Sequence, residues 1–455
     1  GAVNPYIKRR QALNANPDFK IPYPHHSLAP ILRETLGTII FQDQVIEVAM
    51  AFSGFSAAEA AGLRRAMSRK RSAEAIESHR RSFIDGAMAR WPDVGEAQAA
   101  EVFEMVAGFA GFGFPKAHAA AFGLLAYQST WLRVHYGPEL LAALLDEQPM
   151  GFYPPDSLVH EAQRRGTTVL APDLNESALG CLIDEQGALR LGLRHVRGVR
   201  KEQLEELIEE RSANGSFASL SDLTARAGGA RSSLEALAWA GACDRLAGAQ
   251  EQQRPGLARR AVLWQLGIGA PAPASKAQLS LGFDLPPAPT LNPLTAWQTM
   301  LADYAATGLT TGSHPLELMR PDLEKRGALP SAALEQAPHR SRVCVGGLVV
   351  ARQRPGTASG VCFVLLEDEQ GTINLVLKPQ VYERFRLTVR TEPLVFAEGI
   401  LERHASAGGT VNLLVDQIEA LEPGGAQLAE IGELVNADFR AVAPAVMSFA
   451  QGRRR

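Results

Sequence analysis

Between Leu63 and Arg71 five cations stand within eight positions, Arg64, Arg65, Arg69, Lys70 and Arg71, in a chain whose formal net charge is only −3. On a helix Arg65 and Arg69, four apart, share one face, and Arg64 and Arg71, seven apart, share another, so like charges repel unless an anion lies among them. Phosphate suits that role. Guanidinium groups grip its oxygens in a bidentate fork and stay charged at any biological pH. The run reads as a grip for a triphosphate or a nucleic-acid backbone, with a solvated helix face as the bland alternative.

The flanking motifs give that reading its context. Upstream stand Tyr23-Pro-His25, Leu36-Gly37, Phe41-Gln42-Asp43-Gln44-Val45 and Ser53-Gly54-Phe55-Ser56. Downstream runs Phe109-Ala-Gly111-Phe112-Gly113-Phe114-Pro115-Lys116-Ala117-His118. In order and spacing these resemble the fingers domain of the C-family bacterial DNA polymerases, the group of the polymerase III alpha subunit. Arg352-Gln353-Arg354-Pro355-Gly356-Thr357-Ala358, followed by Phe363 and Leu366-Glu367-Asp368-Glu369, is similar to the C-terminal segment of the error-prone, damage-inducible branch. The resemblance runs from about Asn4 to about Leu421.

The resemblance implies that Arg64 and Arg65 grip an incoming dNTP, with Arg69 and Lys70 near the phosphates or template and Lys116 and His118 beside the same pocket. Two departures loosen the pattern: Ala61 stands where the family usually has aspartate, and Pro115 where the replicative branch usually has asparagine. A structural role for His118 stands beside the functional one. The family's catalytic aspartates belong to a palm domain that precedes the fingers, itself preceded by a phosphoesterase-like domain, and no such carboxylate cluster is visible here. Nucleotidyl transfer needs two metal ions held by clustered carboxylates. The expectation is therefore no catalytic residue and no metal in this chain, magnesium entering only with the full-length polymerase, and no polymerisation by the chain alone.

Composition sets outer bounds. The chain has 455 residues, 46% of them apolar, and no uninterrupted apolar run long enough for a membrane span. It opens Gly1-Ala2-Val3-Asn4-Pro5, without a secretory pattern, as though from the middle of a longer protein. The family resemblance implies a cytoplasmic, nucleoid-associated place in a bacterium. Cys181, Cys243, Cys344 and Cys362 form no Cys-x-x-Cys pair and have no histidine at the usual ligand spacing, which argues against a structural zinc site.

The expected architecture is multidomain: all-α fingers and tandem helix-hairpin-helix domains, then an all-β OB-fold barrel. Residues 1–148 form the fingers, with apolar residues at three- and four-residue steps (Val45, Val48, Ala49; Val102, Phe103, Val106). The proline-free stretch Ala119 to His135 reads as a helix whose long apolar side chains are core. Residues 149–250 hold short helices separated by glycine. There the resemblance implies paired hairpins whose helix N-termini approach DNA phosphates without reading sequence. Gly198 with Arg194, Arg197, Arg200 and Lys201 fits the first; Gly228-Gly229 fits the second, with a purely structural role equally open.

Residues 251–335, rich in alanine, proline and glutamine, read as a linker. Within it, Gln278-Leu279-Ser280-Leu281-Gly282-Phe283 resembles the peptide by which bacterial polymerases hold the sliding clamp; Gln278, Leu279, Leu281 and Phe283 would bind it in extended form. From 336 to 422 the apolar period becomes two, with five or so strands and a short helical link near Pro379, an OB-fold pattern. Arg352, Arg354, Phe363 and Lys378 are its DNA-binding candidates, although a core role is equally open to Phe363 and is the one assigned to it. Residues 423–455 form a tail ending Arg453-Arg454-Arg455.

The implied partners are primer-template and single-stranded DNA, incoming dNTP, a sliding clamp and other damage-response polymerase proteins. The implied function is the C-terminal part of an error-prone, translesion DNA polymerase. A non-catalytic DNA- and clamp-binding accessory protein and a decayed polymerase remnant are the alternatives.

Overall fold

The structure is a computed structural model describing residues 3–68, 73–108, 115–151, 153–226, 231–248, 252, 256–269, 286–404, 410–423 and 438–447. The chain divides into two compact units, Gly1–Trp131 and Leu132–Arg455.

The first unit is helical. Its helices are α1 (Val3–Ala15), α2 (Ala29–Leu32), α3 (Gln42–Ser53), α4 (Ala57–Ser68), α5 (Ala73–Arg90), α6 (Glu96–Ala107) and the start of α7 (Lys116–His135). Phe83 lies at the centre of the core, with Phe52 and Phe55 each 5.9 Å away and Phe103 at 5.4 Å between ring centroids. Around them pack Val45, Val48, Ala49, Val102 and Val106, residues of the three- and four-step pattern, together with Leu63 and Ala87. Gly86 lets α5 approach α3, since a Cβ there would lie 2.3 Å from the carbonyl oxygen of Ser53.

Several of the motif residues are fasteners. Gln44 is buried; its Oε1 accepts from the N–H groups of Ile40 and Phe41 at 2.9 and 3.0 Å, and its Nε2 donates to Thr35 Oγ1 at 2.8 Å. Gly37 adopts φ +78°, where a Cβ would meet the Pro22 carbonyl at 2.4 Å. Gly54 ends α3 in the left-handed conformation, and Ser56 opens α4 by exchanging hydrogen bonds with Glu59. His25 is buried against Trp91 and Phe52 with Nδ1 on Ser27 Oγ at 2.8 Å, a core histidine.

The second unit takes the rest of α7, then α8 (Gly137–Asp146), α9 (Pro155–Arg164) and a small sheet of β1 (Val169–Leu170), β2 (Leu182–Ile183) and β3 (Leu189–Arg190) in the order β1-β3-β2. There follow α10 (Lys201–Asn214), α11 (Leu220–Arg226), α12 (Arg231–Trp239), α13 (Leu257–Gly269), α14 (Ala296–Thr307), α15 (Pro315–Lys325) and α16 (Ser331–Leu334). The unit boundary falls inside α7, earlier than the expected 148. The reason is packing: Leu141 and Leu145 of α8 join Val159, Val169, Leu189, Leu191 and Leu309 in one core.

The linker expected over 251–335 is largely folded. Ala258, Val262 and Leu266 of α13 close the core made by Leu193, Val196, Leu204, Leu223, Leu234 and Leu237, while Trp297, Met300, Leu301 and Tyr304 of α14 pack with Leu316, Met319 and Leu323 of α15. Both helices carry apolar residues at three- and four-residue steps, a period that outweighs the alanine- and proline-rich composition.

The barrel consists of β4 (Arg342–Gln353), β5 (Cys362–Glu367), β6 (Thr372–Leu377), β7 (Leu394–His404) and β8 (Thr410–Ala420), closed in the order β4-β5-β6-β8-β7. β6 and β8 run parallel; the other neighbours are antiparallel. Two short helices, α17 (Pro379–Arg384) and α18 (Arg386–Thr391), join β6 to β7. This is the five-stranded Greek-key arrangement of an OB-fold. Inward residues alternate along the strands, as Cys362, Val364 and Leu366 do on β5. The helix α19 (Phe439–Val442) adds Phe439 to the α14 core. No described helix is long and apolar enough to cross a membrane.

Candidate nucleic-acid interface

On α4, Ala60 and Leu63 are buried, which leaves Arg64 half-buried and Arg65 exposed. Arg69 and Lys70 lie outside the described residues. Lys116, at the start of α7, pairs with Glu34 and stands 5.1 Å above the Phe41 ring. His118 is exposed, its ring 4.4 Å from that of Phe122.

The apolar side chains of α7, expected in the core, are exposed. Phe122 is 58% accessible, Leu125 55% and Tyr127 70%, and no residue of the helix is buried. Ala119 to Tyr127 is apolar in succession, so no single stripe marks an inner face; a helix of that kind belongs inside a larger body.

The first hairpin is formed. A short 3-10 turn, Leu193–His195, leads to Gly198 at φ +83° and then to α10, whose N-cap is Arg200. Arg194, Arg200 and Lys201 are exposed around this bend, Lys201 pairing with Glu205 at 3.3 Å. The N-terminal end of α10 and the surrounding cations suit a phosphate backbone. Arg197 is committed elsewhere. Its N–H donates to Ala306 O at 2.8 Å and its Nη1 to Tyr304 O at 3.3 Å, sealing the C-terminus of α14 where Gly308 leaves room. At the second hairpin the Gly228-Gly229 bend lies outside the described residues. Arg226 beside it is tied to Glu210 and Asp222, and Arg231 to Glu235.

The barrel redistributes its candidates. Arg352 donates to the carbonyls of Arg390 and Glu392, bracing the end of α18 against β4, so it serves the fold. Arg354 lies 4.3 Å above the Tyr382 ring and pairs with Glu383 at 3.2 Å. Lys378 is exposed at the N-cap of α17. Phe363, assigned to the core, is 40% accessible, because Cys362 and Val364 on either side take the inward positions. An exposed aromatic on a barrel strand has the chemistry to offer a stacking face to a base.

The carboxylates of Glu367-Asp368-Glu369 do not fit a pair of magnesium ions. Glu367 accepts from Arg164 and Ser157, Asp368 from Ser331, and Glu369 from Arg320, so they fasten the β5–β6 turn to the helices. The clamp-peptide residues Gln278, Leu279, Leu281 and Phe283, and the Arg453–Arg455 end, lie outside the described residues.

Comparison with known proteins agrees with this order of parts. Residues 1–90 match the bacterial DNA polymerase III alpha subunit finger domain, 166–253 a helix-hairpin-helix motif, and 343–421 an OB-fold nucleic acid binding domain. Error-prone DNA polymerase of Mycolicibacterium paratuberculosis is 39% identical over 420 residues, covering 92% of this chain and 36% of that protein. Its counterparts in Mycobacterium bovis and Anaeromyxobacter sp. (strain K) are each 38% identical, over 423 and 434 residues, covering 92% of this chain and 37% and 36% of their own length. The chain spans a little over a third of the length of these relatives. With fingers, hairpin and barrel in that order, the chain is similar over 92% of its length to error-prone DNA polymerases and matches the finger domain of the bacterial DNA polymerase III alpha subunit.

Proposed function

We propose that this chain is the nucleotide-gripping and DNA-holding part of an error-prone polymerase that copies damaged templates. The observation that carries the reading is the succession, in one chain, of a fingers domain, a hairpin ringed by Arg194, Arg200 and Lys201, and a barrel presenting Phe363. Each contacts a phosphate or a base face, and none needs a particular sequence. In this reading Arg64 and Arg65 grip the dNTP triphosphate, with Arg69, Lys70, Lys116 and His118 around it. The bases of a single strand stack on Phe363 near Arg354 and Lys378. Magnesium belongs with the carboxylates of a palm. The exposed face of α7 favours a working state in which more of the polymerase covers it.

The test is fluorescence anisotropy with primer-template DNA, with and without the matching dNTP. Binding should tighten with the nucleotide, and Arg64→Ala with Arg65→Ala should remove that gain while leaving DNA binding itself. A chain that binds DNA with no response to nucleotide would instead be an accessory protein, and one that binds no better than a charge-matched control would be a remnant. Clamp contact is tested by pull-down. Replacing Gln278, Leu281 and Phe283 with alanine should abolish capture by a bacterial sliding clamp, and undiminished capture removes that part of the reading.

A further inference from the structure

Asp146 ends α8, Cys181 precedes β2, and His195 closes the 3-10 turn before the first hairpin; the fold brings all three together. His195 Nε2 lies 3.3 Å from Cys181 Sγ and 3.3 Å from Asp146 Oδ1. Zinc bonds of about 2.0–2.2 Å to nitrogen and oxygen and about 2.3 Å to sulfur, arranged tetrahedrally, put neighbouring ligand atoms roughly 3.3–3.6 Å apart. The two separations agree with that to within a few tenths of an ångström.

The groups are held in place. Both Asp146 oxygens accept from the Cys181 N–H, at 3.1 and 3.0 Å, and Gly180 makes room for the carboxylate, since a Cβ there would lie 2.6 Å from Asp146 Oδ2. The His195 turn is stitched to the segment before Cys181 by Leu193 N–H on Ala178 O and Arg194 N–H on Leu179 O, each 3.0 Å. The His195 and Asp146 side chains are 13% and 25% accessible, which leaves an entry path for an ion. One imidazole nitrogen faces both a thiol and a carboxylate. A single proton on it cannot serve both as well as a cation bound to all three would.

We propose that Asp146, Cys181 and His195 bind a divalent transition-metal ion, zinc best matching the sulfur, nitrogen and oxygen donors, with a fourth position open to water. Thiolate and carboxylate together balance the charge of the ion. Binding releases the Cys181 thiol proton to solvent and leaves the His195 proton on Nδ1; no other bond changes. The ion would lock α8 to the turn that carries Arg194, and so stiffen the approach to the Gly198 hairpin.

A second cluster, His160, His314 and Glu367, fits a metal less well. His314 Nδ1 accepts the Leu316 N–H at 3.1 Å, so the neutral ring keeps its proton on Nε2, and Glu367 is already taken up by Arg164 and Ser157.

The full chain should be dialysed against micromolar zinc for metal analysis, and against cobalt(II) for absorption spectroscopy. The expected result is one metal per chain and a thiolate-to-cobalt charge-transfer band, with apparent affinity rising about tenfold per pH unit near neutrality as one proton is released. Cys181→Ser should abolish the band. His195→Gln, whose amide still donates to Asp146, should lower affinity at least tenfold while circular dichroism stays unchanged, so the result survives even if the serine variant folds poorly. No uptake by the parent chain, a band unchanged in Cys181→Ser, or equal zinc content in parent and His195→Gln would each overturn the assignment, the last two placing the metal on other groups.

Discussion

Arg164 Nη1 donates to Glu367 Oε1 at 2.8 Å, joining the last turn of α9 to the end of barrel strand β5 across 203 positions of sequence. Glu367 is 1% accessible and also accepts from Ser157 Oγ at 2.9 Å, so α9 supplies its hydrogen bonds on both oxygens. The pair anchors the barrel to the helical part of its unit. Arg164→Ala leaves a buried carboxylate short of one of its two counter-charges, which costs about 3–5 kcal/mol for pairs of this kind. Urea unfolding followed by circular dichroism should show a lower midpoint; a midpoint within about 0.5 M of the parent would mean that His160 alone balances Glu367.

Asp156 gives this cluster a pH dependence. Burial raises its carboxyl from 3.8 to about 6, and the neighbouring Glu367 adds to the rise, while His160 and the hydrogen bonds from Tyr304 and Thr310 pull the other way. A carboxyl that holds its proton more tightly when folded contributes stability in full below about pH 3.8 and loses it as pH climbs through about 6. Burial opposes charge on His160, yet Asp156 and Glu367 raise it overall, so its contribution has the same sign and is lost at higher pH. Glu367 is lowered, burial being outweighed by His160 and Arg164, and its contribution is lost as pH falls below the ordinary glutamate range. In Asp156→Asn the decline between about pH 4 and 6.5 should flatten, by up to roughly 3 kcal/mol. Denaturation midpoints measured across that range give the answer, and parallel curves for parent and variant would reject it.

The hairpin cations and Arg197 should separate cleanly. DNA affinity should fall steeply with salt, and replacing Arg194, Arg200 and Lys201 with alanine should reduce the logarithmic salt slope by about one for each phosphate that is no longer neutralised. Arg197→Ala should leave the slope alone and lower the melting temperature, because Arg197 caps α14. Anisotropy titrations at several salt concentrations, paired with thermal melts, distinguish the two effects.

Phe363→Ala should weaken binding of a short single strand by about 1–3 kcal/mol, the value of one base stacked on an aromatic ring. Its melting temperature should change little, since the ring is 40% accessible. A stability loss without an affinity loss would return Phe363 to the core.

Much of the fold was legible from periodicity. The helical steps through Val45, Val48 and Ala49 and the alternation of Val343 and Val345 along β4 reappear as core positions. The five-stranded barrel with its helical link is as the two-residue period implied. The folded state of 257–269 and 296–334 was hidden by a composition rich in alanine and proline, although Trp297, Met300, Leu301 and Tyr304 carried the helical spacing. Phe363 was misplaced because its neighbours Cys362 and Val364 are also apolar, so hydropathy alone does not say which of them turns inward.

The sequence by itself determined the order of the parts and the family they resemble, since local spacing, turn glycines and motif succession are properties of neighbours along the chain. Only the tertiary structure decided what each charged or reactive side chain is for. Arg197, Arg352 and Glu367 are drawn into the fold by partners 38 to 203 positions away, and Asp146 meets Cys181 and His195 across 35 and 49. A hydrogen bond or a metal ligand set depends on distances of about 2–3 Å in space, and packing brings together residues that no spacing along the chain relates.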